Sequence, residues 1–459
     1  MEKIKDLKSE LSELDKKHFL HPTSSIKMQQ ESGPAYIFVK GRGIYLEEIS
    51  GETFIDGMSS LWNVNIGHGR EELGRVANEQ MNTMAFSSAF STYSHEPAIR
   101  LAKKLSELTP GDLNVCFFTS GGSESNDSAI KMARHYWKLK GKPERKKILS
   151  RKLAYHGVSM GATSATGIPE FHEMTSSLAP DFVYAPSPNA RSWSEIEDVD
   201  LTCIDETIKI IEKEGPETIA AFIMEPIQGA GGMIIPPNGY LKAMREICDK
   251  YGILLIADEI ITGFGRTGKM FGVEHWDVTP DMMTVAKGIT SGYIPLGAVI
   301  FSDRIHQELI ELSTGTLFHG FTYSGHPTAC MVGLKNIEII ENENLVQNTE
   351  QRGIELSKGL TKLEEKHWSV GGIRNKGLLG AFELYQDCTS KKRFDPSLGV
   401  AKRVVDECLK RKLIVRPITY EGTDTIAIAP PLISTKEEIE QIVSIFSDAV
   451  SVVESQLNG

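Results

Sequence analysis

The chain is predicted to be an α/β protein: a large, mostly parallel sheet covered by helices on both faces, followed by a smaller α+β region. Three observations carry this. Short apolar runs recur through the middle of the chain, at 115–119 (VCFFT), 218–224 (TIAAFIM), 253–257 (ILLIA), 282–286 and 296–301. Stretches with helical spacing, at 123–137 and 239–251, alternate with them. Strands apolar on both faces and separated by helices belong to parallel sheets buried on both sides. From about His326 the pattern changes. Helical spacing at 327–340 and 345–365 leads into a mixed tail, with strand candidates at 378–384, 413–416 and 426–429, a helix at 400–411 and a last helix from about Thr435. Residues 33–55 read as strand pairs joined by glycine turns.

With 459 residues, 40% of them hydrophobic, the chain can bury a large core in more than one domain. No apolar run reaches 18 residues, so no transmembrane helix is expected. Residues 1–20 are charged and helix-like, without the apolar centre of a secretory signal. A net charge of −11 without a long basic cluster argues against nucleic acid or an anionic membrane as partner. The expectation is a cytoplasmic protein. Its six cysteines are widely spaced with no Cys-x-x-Cys, so neither a metal site nor a disulfide framework is expected.

Ligands of open α/β sheets sit beyond the carboxyl ends of the strands. Three such ends carry polar chemistry. In FFTSGGSESNDSAIKMA a strand ends at Thr119, and Ser120, Gly121, Gly122 and Ser123 precede a helix. Free N–H groups at a helix start attract anions, and two glycines let a phosphate approach the backbone; a plain Ser/Gly cap is the alternative. In GILLIADEIITGFGRTG, Asp258 and Glu259 follow five apolar residues. Side chains alternate along a strand, so only one of the two points at a given site. The alternative is a structural salt bridge. The same stretch spells G-x-G-x-x-G at Gly263, Gly265 and Gly268, but residues 269–280 show no helical period. A dinucleotide site needs a helix opening at the last glycine, so a nicotinamide or flavin enzyme ranks last.

The third end is MMTVAKGITSGYIPLGAV, where an apolar run arrives at Lys287. Such a lysine could snorkel to water. Held in a dry site, its amine loses proton affinity and becomes a nucleophile toward carbonyls. Gly288, Gly292 and Gly297 are expected to make room for a planar ligand. A phosphate cup, an acid and an activated lysine together fit one cofactor, pyridoxal 5′-phosphate, which has a phosphate, a pyridine nitrogen and an aldehyde.

The stretches MSSLWNVNIGHG, FTSGGSESNDSAIK, AYHG, EPIQGAGG, ADEIITGFGRTG, AKGITSGYIPLGAV, FTYSGHP and IVRPITYEGTDTIAIAPPL resemble the class III aminotransferases, pyridoxal-phosphate enzymes of fold type I. The resemblance runs from about residue 30 onward, and the branch it resembles most is the omega-amino acid:pyruvate aminotransferases. It implies a large domain over 76–330 and a small domain over 331–459 onto which residues 1–75 pack. It implies that Lys287 holds the aldehyde as a Schiff base and later moves a proton between the substrate α-carbon and C4′. Asp258 would pair with the pyridine nitrogen. Ile260, expected on the same strand face as Asp258, would pack on one ring face, and Tyr155 would stack on the other. His156 and Gly157 complete that loop and are assigned no chemistry. Gly121, Gly122 and Ser123 would bind the phosphate. Thr322 would reach the phosphate of a neighbouring subunit, which makes the site dimeric; a tetramer of such dimers is the alternative. Trp62 would wall the substrate pocket, and Arg416 would grip the carboxylate of the acceptor by two parallel hydrogen bonds.

The activity implied is ping-pong transfer of an amino group from an amine or omega-amino acid to a keto acid, with pyruvate as acceptor. There are departures. Many relatives carry Ser where this chain has Gly121, which puts one hydroxyl contact in doubt, and Ile261 stands where the ornithine branch has Gln. Ala230 leaves a small residue near the pocket wall. Leu61 and Trp62 stand where the diaminononanoate branch tends to carry two tryptophans. That branch, an intramolecular aminomutase and a cofactor-binding protein without turnover are the rival readings.

Overall fold

The computed structural model describes residues 2–188 and 202–457. Strands β1 (Phe38–Arg42), β2 (Tyr45–Glu48) and β3 (Thr53–Asp56) form an antiparallel meander. Its turns use Gly43 and Gly51, both at positive φ, where a side chain would be strained.

The central sheet follows: β4 (Leu113–Thr119), β5 (Lys147–Arg151), β6 (Phe182–Ala185), β7 (Ile219–Met224), β8 (Leu254–Asp258), β9 (Met282–Val285) and β10 (Gly297–Ser302). Their order is β4-β10-β9-β8-β7-β5-β6. Only β10 runs against its neighbours, so the mostly parallel sheet read from the sequence is borne out. Alternate residues serve opposite faces. Leu254, Ile256 and Met282 pack under the helix Gly122–Leu139, with Ala129, Ala133 and Trp137. Leu255, Ala257 and Met283 face the other layer, built from the helices Glu96–Leu108, Tyr240–Tyr251 and Pro327–Asn342. The five anticipated strands are present. β5 and β6 were not anticipated: KILSR ends in an arginine, yet Arg151 is 0% exposed and Lys147 is half-buried, its ammonium donating to Glu214. Tertiary burial, not local pattern, makes that segment a strand.

The tail supplies β11 (Val370–Lys376), β12 (Leu379–Leu384), β13 (Leu413–Ile414), β14 (Arg416–Ile418) and β15 (Thr425–Ile428). β11-β12-β15-β14 is antiparallel and packs against the helices Leu345–Lys366 and Lys436–Leu457. The 413–416 strand of the sequence reading is split. Leu413 and Ile414 pair in parallel with Ile55 and Asp56 of β3, whereas Arg416 pairs with Ala427 of β15. The chain changes sheets at Val415, and Arg416 emerges at that junction. Among the described residues, no helix is long and apolar enough to cross a membrane.

The Gly263–Gly268 stretch opens no helix; turns lead instead to a 3-10 helix at Gly272–Trp276. Its role is to present Arg266, whose guanidinium is 0% exposed. Arg266 donates to the carbonyls of Leu378 (3.1 Å) and Pro430 (2.5 Å), to Ser59 Oγ (2.8 Å) and to Asn65 Oδ1 (2.9 Å). One cation therefore joins the loop after β8, the segment after β3 and the tail. Burial pushes its pKa down to about 9, with Asp56 acting in the opposite direction. Replacing Arg266 with Met strands those acceptors without a donor. We expect a loss of about 3 kcal/mol or more, read as a lower urea midpoint; an unchanged midpoint would refute the bridging role.

Candidate active site

A cavity of ≈ 590 Å³ opens at the carboxyl ends of the central strands. Of the residues expected at the site, Trp62, Gly122, Ser123, Tyr155, Asp258, Ile260, Lys287 and Arg416 line it. Two do not. Gly121 caps the helix one residue before the lining starts, and a Cβ placed there would meet nothing within 4 Å. Thr322 is exposed in a turn, away from this cavity.

Lys287 follows β9 at the start of a 3-10 turn with φ of 43°, a strained conformation for a side-chain-bearing residue. Its amine opens onto the cavity. Burial pushes its pKa down to about 8; Asp258 and Glu225 pull it up, and Arg416 pushes it down further. The glycines around it do a different job from the one expected. A Cβ on Gly288 would lie 2.7 Å from Asn65 Nδ2, and one on Gly292 would lie 2.7 Å from Asn63 Nδ2. A Cβ on Gly297 would lie 2.6 Å from Ser125 Oγ. These glycines make room for protein, namely the segment after β3 and the helix after β4, rather than for a ligand.

Asp258 ends β8 and is 3% exposed. Its Oδ2 accepts from Asn126 Nδ2 at 2.8 Å and from His156 Nδ1 at 2.7 Å, and its Oδ1 accepts from the Ile260 N–H at 3.1 Å. Ile260 lies beyond the strand end, in a turn, and not on the strand with Asp258 as expected. Glu259 points the other way. It accepts from the N–H groups of Gly272 (2.8 Å) and Val273 (2.7 Å) and from the Thr262 hydroxyl. Burial still pushes its carboxyl up to about 7. Neither acid is in a bare salt bridge with Lys or Arg: Glu259 has backbone donors, and Asp258 has an amide and an imidazole.

The helix Gly122–Leu139 begins at the cavity wall. Gly122 is there because a Cβ would sit 2.8 Å from the Ile260 side chain. Ser123 Oγ accepts from the Val158 N–H at 3.1 Å, which leaves its proton free to donate. Gly157, assigned no role from sequence, has φ of 128°, and a Cβ would come 2.4 Å from Ser123 Oγ. Only glycine lets that loop close over the helix start.

Trp62 is 4% exposed, with φ of 58°; Ser59 and Ser60 also have positive φ. Asp56 pins this strained segment by accepting from the Ser60 N–H at 2.8 Å, while Ser59 is held by Arg266 and by the Ala429 carbonyl. Two cations lie against the Trp62 ring. Lys287 Nζ lies 5.4 Å from its centre and Arg416 Cζ 5.2 Å, both within cation–π range.

Sequence reasoning missed several lining residues. Glu225 directly follows β7, as Asp258 closes β8, and the strand-end rule applied to TIAAFIM would have found it. Its carboxyl accepts from the Tyr155 N–H (3.0 Å) and the Gly229 N–H (2.9 Å), and burial pushes it up to about 7. Phe171, Tyr420, Pro22 and Thr23 come from distant segments and carried no local signal. Ala230 and Ile261 also line the cavity.

The family model described as aminotransferase class-III matches residues 27–450. Over 437 residues the chain is 38% identical to the putrescine–pyruvate aminotransferase of Pseudomonas aeruginosa, covering 94% of each chain. It is 36% identical over 460 residues to the diaminobutyrate–2-oxoglutarate transaminase of Halomonas elongata, covering 98% of this chain and 97% of that one. Among solved structures it superposes on a transaminase from the marine bacterium Virgibacillus with a TM-score of 0.95 and 54% identity, covering 98% of this chain and 100% of the other.

Because only the free amine attacks an aldehyde, borohydride-trapped capture at Lys287 of the apoprotein should rise about tenfold per pH unit and level off near pH 8, not near the ordinary lysine value of about 10.4. Peptide mass spectrometry across pH 6–11 reads the curve. Levelling only above pH 10 would contradict the lowered proton affinity.

Proposed function

The chain belongs to the class III aminotransferases, enzymes that use pyridoxal phosphate, and from that premise we propose that it transfers an amino group from an amine or omega-amino acid to pyruvate by a ping-pong mechanism. The observation that carries this is one cavity holding Lys287, Asp258, the Gly122–Ser123 helix start and Arg416. The donor set fits the cofactor. Helix-start N–H groups and the Ser123 hydroxyl suit a phosphate, an ionised Asp258 suits a protonated pyridine nitrogen, and an enclosed amine suits an aldehyde.

When bound, pyridoxal phosphate supplies an aldehyde that exchanges one amine for another and a ring that takes up the electron pair of the α-carbon. The remaining work falls to the protein. Lys287, with its pKa near 8, takes a proton from the donor's α-carbon and returns it at the adjacent position, as a general base tuned close to ambient pH does. Asp258 presents its carboxyl group to the cavity, held by Asn126 and His156. Tyr155 and Ile260, both lining the cavity, would hold the planar group. Arg416 lies against the Trp62 ring, where it receives the carboxylate of the keto acid. Stacked there, it carries a counter-charge for the acceptor and leaves the apolar wall free for donors without a carboxylate.

Thr322 we assign to the site of a second copy of the chain, in a homodimer. Supporting this, Thr322 is exposed, and the aromatic residues Phe318 and Tyr323 near it in the chain are exposed as well, Tyr323 against the exposed Phe86.

Lys287→Ala is expected to lower kcat by about 10³-fold or more, measured as alanine formed from pyruvate across a panel of amines. Retained turnover would end the assignment. Arg416→Ala should raise KM for pyruvate by about tenfold or more while changing KM for simple amines by less than about twofold. Equal losses for both would reject the carboxylate role, and glutamate formed preferentially from 2-oxoglutarate would replace pyruvate as the acceptor. Product formed without any added acceptor would favour the aminomutase.

A further inference from the structure

Asp258 faces the cavity, yet its carboxylate is gripped from behind by side chains that the strand-end motifs leave without a role. Asn126 and His156 both donate to Asp258 Oδ2, at 2.8 Å and 2.7 Å. The orientation of Asn126 is set by its other partners. The Thr284 hydroxyl donates to Asn126 Oδ1 at 2.8 Å, and Asn126 Nδ2 also donates to the His156 carbonyl at 2.7 Å. With a donor on one side and two acceptors on the other, the amide has one satisfied orientation. The backbone of His156 is fixed in turn, its N–H donating to Thr166 Oγ1 at 2.9 Å. Asn126, His156 and Thr284 are 0%, 1% and 0% exposed.

These residues come from three separate elements around the cavity. Asn126 lies on the helix that starts at Gly122, His156 follows Tyr155, and Thr284 is on β9 three residues before Lys287. We infer that Asn126 and His156 form a two-donor clamp on Asp258, with Thr284 setting Asn126, and that the clamp positions an ionised carboxylate for the ring nitrogen of the cofactor. The inference rests on the aminotransferase reading. Its physical basis is that a carboxylate enclosed in protein takes up a proton unless donors compensate its charge. A protonated Asp258 would lose its attraction for a cationic ring nitrogen. Charge-assisted hydrogen bonds from two donors compensate a carboxylate at that position. All three act through Asp258 and are positioning residues.

The test compares His156→Leu, His156→Asn and Thr284→Val with the wild-type chain. The dissociation constant of pyridoxamine 5′-phosphate is measured by calorimetry on apoprotein, and the absorbance spectrum is recorded with pyridoxal 5′-phosphate bound. His156→Leu should weaken binding by about tenfold or more and shift the visible band. His156→Asn, which restores a donor near the Nδ1 position, should recover most of both. Thr284→Val, nearly isosteric, should weaken binding by about threefold. Binding by His156→Leu and Thr284→Val within twofold of wild type overturns the clamp. So does His156→Asn losing as much as His156→Leu, the result of a packing role alone. Should His156→Leu not fold, Thr284→Val decides. Failure of the wild-type chain to bind pyridoxamine phosphate would instead overturn the aminotransferase reading, so the two failures are distinct.

Discussion

A carboxylate at the end of a buried strand is the constraint around which this molecule is arranged. Asp258 sits where β8 leaves the core, with apolar residues behind it and the cavity in front. An acid in that position is stable as a charge only if donors converge on it. The convergence is built from the ends of several elements at once, so the sheet, the helix after β4 and the loop after β5 cannot shift independently. The order that the carboxylate imposes is also what brings Ser123 and Lys287 to the same cavity.

The second organising feature is the strained segment after β3. Three residues among Ser59–Trp62 occupy positive φ, at a cost of the order of 1–3 kcal/mol each. Asp56 and Arg266 offset that cost with hydrogen bonds from opposite sides. The result is that Trp62 enters the cavity buried, with the amine of Lys287 and the guanidinium of Arg416 both against its ring. Two cations near one another would repel in a dry site. Contact of each with the ring, with Asp258 and Glu225 close to the lysine, makes the arrangement tolerable.

Much of the fold was legible. Five of the seven central strands and the helices between them announced themselves as apolar runs and helical spacing, and the glycine pair at 121–122 marked the helix start. β5 was hidden because its arginine and lysine contradict the local signal for a buried strand. The split at Val415 was hidden because each half pairs with a partner far away in the chain, β3 on one side and β15 on the other. For the site, Lys287, Asp258 and Ser123 were readable as strand-end chemistry. His156 and Asn126 were not, since an amide on a helix and an imidazole in a loop carry no mark of what they will touch.

By itself, then, the sequence determined the chemical kinds: a parallel sheet, an amine and an acid at strand ends, a helix start fit for an anion. Those follow from local pattern, because apolar period, glycine freedom and strand polarity act over a few residues. Only the tertiary structure decided which of Asp258 and Glu259 faces the cavity, what the glycines around Lys287 make room for, and how Trp62 comes to meet both Lys287 and Arg416. Those depend on contacts between segments up to several hundred residues apart, whose geometry is set when the buried charges of Asp258 and Arg266 find all their partners together.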